Sequence, residues 1–279
     1  MSGLSACGSL VERYDRDRYL SCLFAPEAPR EQLFALYAFN HEVAKTAEVV
    51  SEPMLGHIRL QWWREALDGI YAGKPRPHEV VQPLAQAIQA HDLPRALLEA
   101  VIDAREVDLD EAPPADMAAL AVYAEGSSTA LLRLALAILG VEDGASHAAA
   151  AQLGPAWAYL GQLRALPLHA QQKRSYLPAD LCAAAGLDLQ EVFELRSSPE
   201  LSRVCTALLD QAETHLAAAR RPAAEIPRAA LPALLIARLA DLYLKRLRKA
   251  GGNPFAPQVQ APAPGRVWRL AWGNWRCRY

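Results

Sequence analysis

Apolar residues recur at helical spacing through most of this chain. Between Leu201 and Leu216 they occupy positions 201, 204, 205, 208, 209, 212 and 216, which share one face of a helix with about 3.6 residues per turn. A similar stripe runs from Leu33 to Ala47. Alternating runs of Val, Ile and Thr, which are typical of half-buried strands, are not seen. The pattern therefore predicts an all-α fold.

Proline and glycine divide this helical pattern into segments of ordinary length. With 279 residues the chain can form one large domain or two small ones, and we favour a single helical domain over residues 1–250. Residues 251–265 contain four prolines and three glycines, which predicts a linker. Residues 266–279 form a final segment rich in tryptophan and arginine.

Charge and cysteine content narrow the class of protein. The formal net charge is −2, so the chain lacks the basic field that gathers nucleic acid without sequence preference. Its five cysteines include no CxxC pair, which argues against a zinc site. The longest apolar stretch, 118–141, is interrupted by Glu125 and Arg133, which are costly in a bilayer. We expect a cytoplasmic protein, with peripheral membrane contact left open.

The segment 34–53, FALYAFNHEVAKTAEVVSEP, resembles the first signature of the squalene/phytoene synthase family. The resemblance implies an isoprenoid-synthase-type helical bundle around a central cavity. In the family, LYAFCR precedes aspartates that bind magnesium, and the magnesium binds a prenyl diphosphate. Magnesium prefers hard oxygen ligands and neutralises the departing diphosphate. The matching positions here are Ala44, Lys45 and Glu48, so a single carboxylate remains.

The segment 158–178, AYLGQLRALPLHAQQKRSYLP, resembles the second signature of the same family. The two aspartate positions of that signature hold Ala165 and His169, and Pro167 between them is expected to break or kink the helix. Of the five positions that carry metal-binding acids in the family, only one is acidic here. Other family positions in this segment are retained, namely Arg164, Arg174 and Tyr176.

These retained residues suggest a binding role without metal. Guanidinium groups bind phosphate directly, so Arg164, Arg174 and Tyr176 are candidates for holding an anionic head group. A further acidic set, Asp103 and Glu106 with Asp110, lies at helical spacing, and we interpret it as a solvated face rather than a metal site.

The C-terminal segment carries a separate pattern. Trp268, Trp272 and Trp275 are spaced to share one helix face, with Arg269 and Arg276 beside it. Tryptophan beside arginine is typical of a membrane interface or a partner-docking helix. The alternative is that the three indoles dock on the core of their own domain.

Within the family, YDRDRYLSCLFAP, VSEPMLGHIRLQWWRE and NWRCRY are similar to the branch of respiratory complex I assembly factors with a squalene/phytoene synthase domain. The metal acids are missing there too, so the resemblance implies a pseudoenzyme that helps mature a membrane subunit of complex I. Its expected partners are that subunit or other assembly factors. Its expected location is the cytoplasm, peripheral at a bacterial inner membrane, or the matrix side in a mitochondrion.

Two other functions stay open at this point. One is an active head-to-head prenyltransferase on prenyl diphosphates, which needs magnesium; otherwise we expect no cofactor. The other is a carrier for an isoprenoid or another lipid, which keeps the cavity and loses the chemistry.

Overall fold

The computed structural model describes residues 4–50, 52–110 and 112–279, and within these ranges every regular element is helical. The all-α prediction is confirmed. The helices of the first half are α1 (Ala6–Tyr14), α2 (Arg16–Cys22), α3 (Glu27–Ala44), α4 (Thr46–Val49), α5 (Pro53–Tyr71), α6 (Val81–His91), α7 (Arg95–Ala104), α8 (Met117–Ala124) and α9 (Ala130–Ile138). Those of the second half are α10 (Gly144–Gln171), α11 (Ala179–Ala185), α12 (Leu189–Phe193), α13 (Pro199–Ala219), α14 (Leu231–Leu234), α15 (Ile236–Lys249), α16 (Pro257–Gln260) and α17 (Arg266–Trp275).

Three short elements complete the helical set. A 3-10 turn at Val107–Leu109 follows α7, and a second one at Arg228–Ala230 precedes α14. A π-helical turn at Glu125–Thr129 joins α8 to α9. Such π turns are often found at functional sites, and this one lies beside the candidate site described below.

Helix α10 is the central element of the bundle. It packs along α13 and also contacts α9, α15 and the π turn. The seven apolar positions predicted between Leu201 and Leu216 are all buried on α13, which confirms that stripe. Helix α10 is therefore packed against other elements on several sides. Its remaining face lines the cavity described below.

Helix α10 does not break at Pro167, so this part of the expectation is wrong. The helix continues to Gln171 with both Pro155 and Pro167 inside it. A proline removes only one backbone hydrogen bond from a helix interior. Leu166 and Ala170 on either side of Pro167 are each 1% exposed, and this packing holds the last turn in place.

A glycine lets α10 approach the π turn closely. A Cβ atom built on Gly154 would lie 2.7 Å from Cα of Thr129, which is closer than real Cβ contacts. By contrast, a Cβ on Gly161, two turns later on the same helix, would meet no atom within 4 Å. The spacing between α10 and the π turn therefore depends on Gly154.

The C-terminal segment packs against the same body of helices. Arg246 donates to the carbonyl oxygens of Ala261 and Pro262, so the predicted linker lies against α15. Arg266, at the start of α17, is 2.7 Å from the carboxylate of Asp17. At the chain end, the Tyr279 hydroxyl donates to the Ala219 carbonyl.

The indoles of α17 face outward. Trp268 is 80% exposed, Trp272 57% and Trp275 69%. The alternative in which they dock on the core of their own domain is therefore wrong. The residues of α17 that pack inward are Leu270 and Gly273. Among the helices of residues 4–50, 52–110 and 112–279, none combines the length and apolar character that crossing a membrane requires.

The close packing at Gly154 gives a first prediction. We expect Gly154→Ala to lower the free energy of unfolding by about 1–3 kcal/mol, because the added methyl group forces α10 away from Thr129. The matched control is Gly161→Ala, which should be neutral or stabilising by about 0.5–1 kcal/mol, since alanine favours the helix. Urea denaturation of both variants measures the difference. Equal effects would contradict the assigned contact.

Candidate functional site

The segments of the two family signatures meet at one cavity. Ala44 and Glu48, at the end of α3 and in α4, face Ala165 and His169 of α10 across a cavity of about 220 Å³. The structure thus brings together four of the five predicted metal positions. The two pairs of positions are 117 residues apart in the chain at their closest, from 48 to 165, so only the fold makes them neighbours.

Lys45, the fifth position, does not line this cavity. Its ammonium group pairs with the buried carboxylate of Glu42, which also binds Arg59 at 2.9 Å. The negative charge of Glu42 is therefore compensated by two cations of the protein. Glu42 is therefore engaged by groups of the protein and does not line the cavity.

The residues present do not fit magnesium. Glu48 is the only carboxylate among the five positions and it is exposed. In the part of the chain that the structure describes, no three His, Cys, Asp or Glu side chains come together so that they could hold a metal ion. Magnesium needs near-octahedral coordination by oxygen atoms, and Ala44 and Ala165 supply none.

A carboxylate that sequence reasoning overlooked lies in the cavity wall. Asp108, in the 3-10 turn after α7, is 5% exposed. Its carboxylate accepts hydrogen bonds from the Tyr176 hydroxyl at 2.6 Å and from Arg105 at 3.2 Å. The Tyr123 hydroxyl lies 3.4 Å away, and Arg174 donates to the main-chain carbonyl of Asp108. We call these five residues the Asp108 network.

The Asp108 network changes the interpretation of the candidate anion site. Arg174 and Tyr176 do lie together at the cavity, but both are already engaged by Asp108. Arg164 lies elsewhere. Its guanidinium stacks 3.4 Å from the ring centre of Tyr243 and is 3.6 Å from the Asp17 carboxylate.

Burial fixes the protonation of the groups around Asp108. It raises the pKa of Tyr123 and of Tyr176, and the negative charge of Asp108 adds to the shift. Burial also lowers the pKa of His169 to about 4; the negative charge of Asp108 opposes this shift, and the cations of Arg105 and Arg174 add to it. At neutral pH the two phenols are therefore protonated and the imidazole is uncharged. These three side chains therefore contribute hydrogen-bonding groups to the cavity wall and no charge.

Some polar groups of the cavity wall have no hydrogen-bond partner among the described residues. These atoms are Oγ of Ser128, Oε1 of Gln162 and Nδ1 of His169. A buried polar atom without a hydrogen bond is costly. The cavity is therefore suited to water or to a small polar group of a ligand.

The acidic set noted in the sequence separates into two environments. Asp103 and Glu106 bind Arg64 at 2.6 and 2.9 Å and are largely exposed, as expected for a solvated face, and Asp110 is exposed too. Asp108 lies off that face. The only sequence signal for it was its place in an acid-rich segment, which does not tell one acid from its neighbours.

The burial of Asp108 leads to a second prediction. We expect Asp108→Ala to lower the free energy of unfolding by about 3–5 kcal/mol, because it leaves the guanidinium of Arg105 without its carboxylate partner. Asp103→Ala is the matched control, since that ion pair is exposed and contributes less than about 1 kcal/mol. Chemical denaturation compares the two variants. A loss as small for Asp108 as for Asp103 would show that the network is not formed.

The lowered pKa of His169 gives a third prediction. The unfolded chain binds the proton of this histidine near the usual pKa of 6.5, and the folded protein binds it only near 4. At a pH between about 4 and 6.5, unfolding is therefore accompanied by the binding of a proton. The free energy of unfolding consequently falls as the pH drops from about 6.5 to about 4. We expect His169→Gln to make this fall less steep. Urea denaturation over this pH range measures the slope, and His57→Gln, a change at an exposed histidine, is the matched control.

The chain is similar to known proteins over most of its length. The family described as squalene/phytoene synthase matches residues 11–276. A Bos taurus protein named NADH dehydrogenase (ubiquinone) complex I, assembly factor 6 is 33% identical over 284 residues, covering 100% of this chain and 85% of that protein. A presqualene diphosphate synthase from Rhodopseudomonas palustris is 28% identical, covering 75% of each chain.

Solved structures show the same fold. The squalene synthase HpnC from Alicyclobacillus acidocaldarius superimposes with a TM-score of 0.78 at 21% identity, covering 89% of this chain and 94% of that one. The expected isoprenoid-synthase-type helical fold is thereby confirmed. The match over residues 11–276, together with this likeness of fold, shows that the chain belongs to the squalene/phytoene synthase family.

Proposed function

We propose that this protein is a non-catalytic member of its family that acts in the assembly of respiratory complex I. The observation that carries the proposal is the composition of the cavity where the two signature segments meet. It contains Ala44, Ala165 and His169 at positions that carry acids in the family, and Glu48 is the one acid left. The relative named as a complex I assembly factor covers the whole of this chain.

Electrostatics supports the absence of turnover. A diphosphate leaves as a highly charged anion, and its departure requires cations at the oxygen atoms. Glu48 alone provides too few oxygen ligands for magnesium. Asp108 does not supplement it, because both of its carboxylate oxygens accept hydrogen bonds from neighbouring protein groups.

The size of the cavity supports the same conclusion. Its volume is about 220 Å³, whereas sites for small molecules commonly occupy about 300–1,000 Å³. Head-to-head synthesis has to hold two prenyl chains at once. The wall also carries the polar Asp108 network, which suits a head group better than a hydrocarbon chain. This favours neither the enzyme nor a carrier that encloses a whole isoprenoid.

A binding role for part of the cavity remains in the proposal. Arg174 gives a hydrogen bond to a carbonyl oxygen rather than to a carboxylate, so its charge is available to an anionic head group. Tyr176 lies beside it at the same cavity. Arg164 is not part of this set, because it lies against Tyr243 and Asp17.

The proposed partners follow from the names of the relatives. We infer that the protein contacts a membrane subunit of complex I or another assembly factor. In a bacterium the contact takes place on the cytoplasmic side of the inner membrane, and in a mitochondrion on the matrix side. No metal or other cofactor is part of this proposed role.

Deletion and complementation test the proposal. We expect deletion in the source organism to lower NADH:quinone oxidoreductase activity and the amount of assembled complex I on native gels. Glu48→Gln should restore both as well as the wild type does, because magnesium chemistry plays no part. Glu52→Gln, a change at another exposed glutamate nearby, is the matched control. Normal complex I after deletion would contradict the assembly role, and failure of Glu48→Gln alone would contradict the non-catalytic role.

A second candidate function is head-to-head prenyl transfer, which is favoured by the relative named presqualene diphosphate synthase. Purified protein incubated with farnesyl diphosphate and magnesium tests it directly. We expect no diphosphate release above the background without protein. Magnesium-dependent release, abolished by Glu48→Gln, would establish the enzyme instead.

A further inference from the structure

The outward face of α17 is the largest set of exposed aromatic side chains in the part of the chain that the structure describes. Trp268, Trp272 and Trp275 follow one another at helical spacing, and each is more than half exposed. An aromatic side chain can bury about 150–250 Å², so the three exposed fractions together offer on the order of 400 Å² of apolar surface. Patches of this size mark interaction sites on soluble proteins.

The face is held in a fixed orientation. Leu270, on the opposite side of α17, is fully buried. Gly273 allows close approach to α15, since a Cβ atom there would lie 3.0 Å from Cδ2 of Leu235. Arg266 binds Asp17 before the indoles, and Tyr279 is buried after them. The three indoles are therefore exposed because both ends and the inner face of the helix are anchored.

The surroundings of the indoles are positively charged. Residues 266–279 contain four arginines and no aspartate or glutamate. Arg269 and Arg276 are exposed beside the indoles, and Arg276 lies 5.6 Å from the ring centre of Trp272. Arg238 on α15 adds a further positive charge nearby. Burial lowers the pKa of Arg238, and the neighbouring arginines lower it further, whereas Asp241 raises it.

We propose that this face of α17 docks on the surface of an anionic lipid bilayer. Indole rings prefer the head-group level of a membrane because one edge is apolar and the other donates a hydrogen bond. Arg269 and Arg276 lie where they can bind lipid phosphates, and a surface of one charge sign complements anionic lipids. Helices with this combination lie in the plane of the interface rather than crossing it.

Another exposed apolar set allows a matched comparison. Met54 and Ile58 on α5 are 66% and 60% exposed. The arginine beside them, Arg59, is paired with Glu42, whereas Arg269 and Arg276 are exposed and form no ion pair with the residues that the structure describes. Apolar exposure alone would make both patches bind lipid, whereas the combination with arginine selects α17.

Vesicle co-sedimentation of the purified full-length protein tests the proposal. We expect binding to equimolar phosphatidylcholine–phosphatidylglycerol vesicles, weaker binding to phosphatidylcholine alone, and a decrease with added salt. Trp268→Ser combined with Trp272→Ser and Trp275→Ser should reduce partitioning at least about tenfold. Arg269→Gln with Arg276→Gln should reduce it roughly 30-fold on the anionic vesicles, from about 1 kcal/mol for each charge.

The control variant, Met54→Ser with Ile58→Ser, should bind as the wild type does. Circular dichroism and thermal melting should agree among all variants, because every changed residue is exposed. Absence of binding by the wild type would overturn the proposal, as would loss of binding in the α5 variant but not in the tryptophan variant.

Analytical ultracentrifugation without lipid tests another occupant of the same face. A dimer of the wild type that is lost in the tryptophan variant would overturn the lipid proposal and assign the face to a second copy of this chain. The assay needs no complex I, so its result is independent of the proposed assembly role.

Discussion

One buried carboxylate organises the cavity of this protein. Asp108 brings together Arg105 after α7, Tyr123 of α8 and Tyr176 after α10, and each of these groups lies on a different part of the bundle. Removing a charge from water is costly unless it is paired and hydrogen-bonded, and here every contact contributes to that compensation. The positions of Arg105, Tyr123 and Tyr176 in the cavity wall are fixed by these contacts.

The family fold does not require acids at the predicted metal positions. The core of the bundle consists mainly of apolar side chains that do not line the cavity, although Tyr123 belongs to both. Alanine and histidine at the predicted metal positions are compatible with this core, because fold and site chemistry depend largely on different residues. At another of these positions Lys45 makes a structural contact, since it compensates the buried charge of Glu42.

A second buried carboxylate, Asp17, plays a comparable role at the C-terminus. It accepts hydrogen bonds from Arg266 of α17 and Tyr243 of α15, and so attaches the last helix to the body. This contact fixes the start of α17, and buried Leu270 and Tyr279 fix the rest of the segment, so the indoles stay on the outer face. The buried ion pair thus positions a surface whose residues lie outside the cavity.

The sequence by itself determined the helical class and the buried stripe of α13, because periodicity is a local property. It also predicted, from residue identity, that most metal-binding acids of the family are absent. It did not distinguish Asp108 from Asp103 and Glu106, group Arg174 without Arg164, or decide whether the indoles of α17 face inward. Those outcomes depend on which distant segments pack together. Burial of a charge or an aromatic ring is set by its neighbours in space, and only the tertiary structure supplies them.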